Sequence, residues 1–301
     1  MNILEISGLK KHFGEKQVLR GVDLAVPENR VYGFVGRNGA GKTTTMKITL
    51  GLLAADEGEV RVCGEKAHYG NTATNRFIGY LPDVPEYYGF MTPMEYLRFC
   101  GEIAGMDEKE IRSRSEELLR LVGLGEEKHR VKGFSRGMKQ RLGIAQALLG
   151  RPRLLICDEP TSALDPMGRK EILDVLVAAK AETTILFSTH ILSDVEHICD
   201  EMALLDQGRI VMQGSIEDVK RNRRSNATEI RVDREEDMKA LSDAFAELKR
   251  DGSGNLILAD PSKMPDVLRF MADRKIDPAR IEKQEATLED IFLEMTARGK
   301  E

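Results

Sequence analysis

The chain has 301 residues, 41% of them hydrophobic and 32% charged, and a formal net charge of -5 at pH 7. Such a length supplies one large core or two smaller ones, and the acidic balance speaks against a dedicated nucleic-acid binder. No apolar run approaches a membrane span, and Met1 to Ile6 lack a signal-peptide layout, so a cytoplasmic chain is expected.

Residues 3–7, 17–26 and 31–35 read as strands separated by Gly and Pro-Glu-Asn turn signals. Directly after the third comes Gly36-Arg37-Asn38-Gly39-Ala40-Gly41-Lys42-Thr43-Thr44, which fits G-x-x-x-x-G-K-[ST]. A helix-compatible run, residues 43–48, follows it. Glycines at these positions let successive N–H groups face phosphate oxygens, with the helix dipole behind them. Lys42 then reaches the β- and γ-phosphates of a nucleoside triphosphate, and the Thr43 hydroxyl is placed to ligate Mg²⁺.

From about residue 82 to 150 the pattern is helical, with Leu118, Leu119, Leu121, Val122, Ile144, Ala147 and Leu148 at helical spacing and Ser135 as a cap. Two unalternated apolar strands, 154–157 and 184–187, enclose a helix over 169–180, the pattern of a parallel sheet buried on both faces. The basic run 220–226 is read as a solvated helix end and linker. Beyond it, residues 229–232 and 256–258 and a strand containing Ile281 alternate with three amphipathic helices. Their apolar faces are Met238, Leu241, Phe245 and Leu248; Met264, Val267, Leu268 and Met271; and Leu288, Ile291, Phe292 and Met295. The expected domains are 1–220 and a small α+β module, 221–301. Cys63, Cys100, Cys157 and Cys199 form no C-x-x-C or Cys/His cluster and are expected to be buried thiols.

The strand at 154–157 ends in Asp158-Glu159-Pro160, at the sheet edge where α/β proteins bind ligands. Asp158 is placed to hold the Mg²⁺ hydration shell, and Glu159 to polarise an attacking water as general base. Thr189-His190 ends the next apolar strand, so His190 is expected at the same edge, a neutral imidazole touching the γ-phosphate and orienting the water. Between them Ser162-Ala163-Leu164-Asp165 forms a turn suited to contact with a second subunit.

Phe134-Ser135-Arg136-Gly137-Met138-Lys139-Gln140-Arg141 resembles the signature of the ATP-binding cassette (ABC) ATPases. It departs from L-S-G-G-Q at Phe134, Arg136 and Met138 and keeps Ser135 and Gly137, the positions that meet phosphate in that family. The form S-[KR]-G-M-x-Q-R is similar to the branch serving drug, antibiotic and bacteriocin exporters, as is the tail Ala286 to Leu293. By the same resemblance Phe13 stacks on adenine, His190 is the switch histidine and Asp165 belongs to the dimer-contact loop. Asp83 stands where the family usually has a Gln that senses Mg²⁺.

The resemblance, over residues 1–220, implies a P-loop NTPase fold of the ABC type: a mixed or parallel sheet core, an antiparallel β subdomain and a helical subdomain. It implies ATP and Mg²⁺, and a homodimer or heterodimer with each ATP between one phosphate loop and the other subunit's Ser135 and Gly137. A separate membrane permease is implied too, with the chain on the inner face of the membrane and residues 83–98, including Tyr87, Tyr88 and Phe90, as docking surface or core. The alternative is a soluble ABC ATPase acting on ribosomes or DNA.

Overall fold

The computed structural model describes residues 1–71, 73–221, 227–251, 254–283, 287–289 and 291–292. They divide into two compact units, Met1–Ile216 and Glu217–Glu301. The first opens with β1 (Asn2–Phe13), β2 (Lys16–Pro27), β3 (Val31–Val35), α1 (Lys42–Thr49), β4 (Glu57–Val62) and β5 (Glu65–Lys66). β6 (Ile78–Leu81) leads into three helices, α2 (Pro93–Ile103), α3 (Glu108–Leu121) and α4 (Arg136–Leu148). β7 (Leu154–Asp158), α5 (Pro166–Ala179), β8 (Thr184–Thr189), α6 (Leu192–Ile198), β9 (Glu201–Asp206) and β10 (Arg209–Ser215) follow, and α7 (Ile216–Arg221) begins at the division between the units.

β6, β7, β8, β3 and β9 lie parallel in the order β10-β9-β3-β8-β7-β6, with β10 antiparallel at one edge. Every residue of β3, β7 and β8 is buried, as unalternated apolar strands require. A second, antiparallel sheet, β2-β1-β4-β5, alternates buried and exposed positions. Leu4, Ile6 and Leu24 from it share one core with Phe34, Met46, Ile156 and Leu186. Arg114 on α3 is 1% exposed and is paired with Glu182 at 2.5 Å and Glu117 at 2.9 Å, as a buried guanidinium must be.

The central sheet and the helical layer meet without slack at Gly79 in β6. A Cβ there would lie 2.1 Å from the Ala147 carbonyl oxygen at the end of α4. Gly79→Ala is expected to cost about 1–3 kcal/mol, because the obstacle is backbone and cannot rotate away. A lowered denaturant midpoint with unchanged slope checks this; an unchanged midpoint would show that α4 yields freely.

The second unit carries β11 (Thr228–Val232), α8 (Glu235–Ala244), β12 (Leu248–Arg250), β13 (Leu256–Leu258), α9 (Met264–Asp273) and β14 (Pro278–Lys283). Its antiparallel sheet runs β12-β13-β11-β14, the βαββαβ arrangement called ferredoxin-like. Ile230, Leu241, Leu256, Val267 and Met271 form its core. Leu248 departs from the expected helix face. α8 closes at Phe245, whose N–H bonds to the Leu241 carbonyl, and Leu248 enters the same core from a strand. The apolar spacing suited both geometries; the helix stop decided between them. Leu288 and Ile291 are helical and buried. Met295, and positions 222–226 of the basic run, lie outside the described residues. All four cysteines are free, but only Cys157 is fully buried; Cys63, Cys100 and Cys199 are partly covered.

Candidate nucleotide site

The segment from Gly36 to Thr44 turns from the end of β3 into α1. Gly39 and Gly41 hold φ of +81° and +116°, a region L side chains rarely adopt. Gly36 is required by space: a Cβ would meet the Leu205 carbonyl oxygen at 2.5 Å. Its N–H donates to the Thr189 carbonyl at 3.2 Å, tying the loop to the end of β8. Lys42 is 5% exposed and donates to the Gly36 carbonyl at 2.6 Å, closing the loop on itself.

β7 and β8 are neighbours, so Asp158 and His190 emerge at one edge. Ser188 organises it. Its hydroxyl donates to Asp158 Oδ1 at 2.6 Å and accepts the Glu159 N–H at 2.9 Å. Glu159 itself has φ +49°, a strained left-handed conformation for a non-glycine residue, and such strain concentrates at functional sites. The backbone turn sends its side chain away from Asp158 and toward the loop. Oε2 pairs with His190 Nδ1 at 2.8 Å, while Oε1 lies 3.0 Å from Lys42 Nζ. Oε1 is buried, and that ion pair with Lys42 is the contact that compensates its charge.

An ionised carboxylate only accepts, so the proton at the His190–Glu159 contact sits on Nδ1. A neutral ring then presents a bare Nε2, which accepts from water and donates nothing to phosphate.

Lys42, Glu159 and His190 share a cavity of about 450 Å³. Asn38, Gly39, Gly41, Lys42, Thr43 and Thr44 supply one wall; Asp83, Glu159 and His190 supply another. Gly36, Arg37 and Ala40 shape the loop without lining the cavity. Thr43 and Asp83, residues with oxygen-bearing side chains, are on the wall, and Asp158, 2% exposed, ends β7 without lining the cavity. Such a donor set fits a hard divalent cation such as Mg²⁺.

Lys16 and Val18 also line the cavity and escaped sequence reasoning, as did Ser188 beside it, whereas Ser162, which lines it too, belongs to the turn expected to meet a second subunit. A hydroxyl closing an otherwise apolar strand was the available signal for Ser188. Phe13, half exposed, is paired in register with Lys16 across the β1–β2 hairpin, and Lys11 Nζ lies 5.6 Å from its ring centroid. Ser135 caps α4, accepting the Met138 N–H at 3.2 Å, and neither it nor Gly137 lines this cavity. Asp165 caps α5 by accepting the Gly168 N–H at 3.2 Å. The aromatic trio divides. Tyr87 stacks edge-on against Tyr96 and donates to the Lys139 carbonyl at 2.6 Å, whereas Tyr88 and Phe90 are 52% and 63% exposed.

A profile of the ABC transporter family matches residues 19–162, and one of the C-terminal domain of DrrA1-3-like ATP-binding proteins matches residues 214–296. YxlF of Bacillus subtilis, an ABC transporter ATP-binding protein, is 36% identical, with 97% of this chain and 99% of YxlF covered. The chain belongs to the ABC transporter ATP-binding proteins. The bacitracin transport ATP-binding protein BcrA of Bacillus licheniformis is 32% identical over 99% of this chain and 98% of its own length. A solved ATP-binding subunit of an ABC transporter is 34% identical with a TM-score of 0.65, spanning 73% of this chain and 92% of the solved one. As an ABC cassette the chain binds nucleotide and hydrolyses ATP to power transport. No helix among the described residues is long and apolar enough to cross a membrane.

Proposed function

We propose that this chain is the ATPase subunit of a membrane exporter and works as a pair of cassettes, either two copies or one copy with a sister chain. The observation that carries the chemistry is Glu159, tethered through one oxygen to His190 and ion-paired through the other with Lys42 at 3.0 Å. Lys42 binds the β- and γ-phosphates, and Glu159 Oε1 accepts the proton of the attacking water. His190 fixes the Glu159 rotamer and accepts a hydrogen bond from that water through Nε2. Thr43, Asp158 and Asp83 hold Mg²⁺, which when bound neutralises phosphate charge. Phe13 packs against the base. Ser135 and Gly137, which do not line their own subunit's cavity, face the nucleotide of the partner subunit across the dimer, with the N-terminus of α4 directed at its γ-phosphate.

Export is supported by the likeness to the bacitracin transport protein and by the match to the DrrA1-3-like C-terminal domain. A separate transmembrane permease supplies the pathway, with this chain on its cytoplasmic side. Tyr88 and Phe90, ring centroids 5.9 Å apart, are the proposed permease contact. No direct nucleic-acid contact is proposed.

Affinity purification of the tagged Glu159→Gln chain from detergent-solubilised native membranes, followed by mass spectrometry, tests this. The expected result is a stoichiometric polytopic membrane protein. Recovery of ribosomal or DNA-bound partners without one would overturn the proposal in favour of a soluble mechanochemical ATPase.

A further inference from the structure

The sheet of the second unit has two edges, and they are built differently. β12 is three residues long and sets Lys249 beside Arg250, which is how an edge is kept from pairing. β14 has six residues, all but Pro278 exposed, and among the described residues it pairs with β11 alone. Its middle reads Arg280-Ile281-Glu282, one charge of each sign on either side of an apolar residue.

Successive side chains of a strand take opposite faces. Arg280 and Glu282 therefore share the face turned away from the helices, where they form an ion pair with side chains 61% and 55% exposed. Ile281 is on the core side, opposite Ile230 of β11. Ile230 is fully buried, whereas Ile281 is 37% exposed because no strand covers its outer flank.

Register decides what such an edge accepts. When β14 lies antiparallel to a second copy of itself, a two-fold axis that keeps both copies' helices on one side of the joined sheet opposes only residues of the same face. Centring that axis on Arg280, Glu282 or Lys283 opposes like charges. Centring it on Ile281 opposes Arg280 to Glu282 of the second copy, and Glu282 to its Arg280. Each charge then has an unlike neighbour both along its own strand and across the join, and the two Ile281 side chains cover each other. Pro278, which has no N–H, and the register shift between Arg231 and Val232 confine the regular stretch to a few residues, so the contact is small.

We propose that β14 binds a second copy of this chain by antiparallel edge pairing centred on Ile281, which joins the two modules' sheets into one. The strand pairing does not depend on the paired-cassette reading above. That it makes the cassette pair two copies, rather than one copy and a sister chain, rests on that reading.

The test uses full-length Ile281→Cys without nucleotide, as an equal mixture of isotopically light and heavy chains treated with a short bismaleimide. Mass spectrometry of the linked peptides separates position 281 from the native cysteines. A light–heavy link between the two 281 positions is expected. Ala279→Cys, which this register places opposite Lys283, should link to itself about tenfold more slowly, because directly opposed Cβ atoms are only about 4.5–5.5 Å apart. Added to Ile281→Cys, either Arg280→Glu or Glu282→Arg opposes like charges twice and should slow linking about tenfold or more. The two swaps in one chain oppose unlike charges again, as does a mixture of the two single swaps, and both should return to within about twofold of the starting rate. That recovery also separates lost pairing from a damaged strand. No link at 281, equal linking at 279 and 281, or equal rates in every charge variant would overturn the proposal. Association of the Glu159→Gln chain on adding ATP is measured alongside. Its absence with the 281 link intact would remove the cassette pair and leave the strand pairing; its presence without the 281 link would do the reverse.

Discussion

Glu159→Gln retains ATP binding and turns over at least about 10²-fold more slowly than the parent chain, the usual scale for loss of a general base. The geometry adds a second expectation. Glu159 Oε1 lies 3.0 Å from Lys42 Nζ, so the carboxylate and a bound γ-phosphate compete for one ammonium group. The amide keeps the size of the side chain and removes that competing charge. ATP affinity should therefore match or exceed that of the parent. Paired measurements of steady-state turnover and equilibrium binding of a non-hydrolysable ATP analogue check both parts. Near-normal turnover would take Glu159 out of the base role. Slow turnover with weakened binding would show that the amide had disturbed the Lys42 pocket instead.

Lys42→Ala is expected to weaken nucleotide binding by about 10²-fold or more. A charge-assisted hydrogen bond contributes about 1.5–3 kcal/mol, and each 1.4 kcal/mol is tenfold in affinity. The loss exceeds one bond because Lys42 also holds the loop closed through the Gly36 carbonyl at 2.6 Å. Its removal further leaves the largely buried Glu159 carboxylate facing incoming phosphate with no cation between them. The combination with Glu159→Gln separates these effects. It should regain part of the lost affinity, since one uncompensated charge is gone while the phosphate contact is still missing. Calorimetric titration of all four chains gives the cycle directly. Unchanged affinity in Lys42→Ala would contradict the phosphate-loop reading.

The phosphate loop, the acid pair after an apolar strand and the strand-end histidine were legible because each is contiguous. Its geometry is carried by the turn or strand in which it sits, and Gly39, Gly41 and the buried run of β7 need nothing distant to be interpreted. The signature segment was readable for the same reason, since Ser135 caps the helix that begins one residue later. A change in apolar periodicity suggested a second module from residue 221, whereas the compact units divide after Ile216. Leu248 marks the limit of that method: its spacing from Leu241 fitted a helix face, yet α8 had already ended at Phe245.

The local sequence by itself thus determined the elements and the chemical kinds of group at the site. Tertiary structure alone decided which groups touch. Strand order β3-β8-β7 brings Lys42, Ser188, Glu159 and His190 together from positions far apart in the chain. No local pattern encodes that Ser188 bridges Asp158 to the Glu159 backbone, or that Glu159 turns toward Lys42 rather than into solvent. Packing of α4 against the segment after β6 likewise turned Tyr87 inward, left Tyr88 and Phe90 outside, and gave Asp83 an arginine partner. The physical reason is range. Backbone conformation and amphipathic spacing act over a few residues, whereas ion pairs and shared hydroxyls form between elements whose separation only the folded core sets.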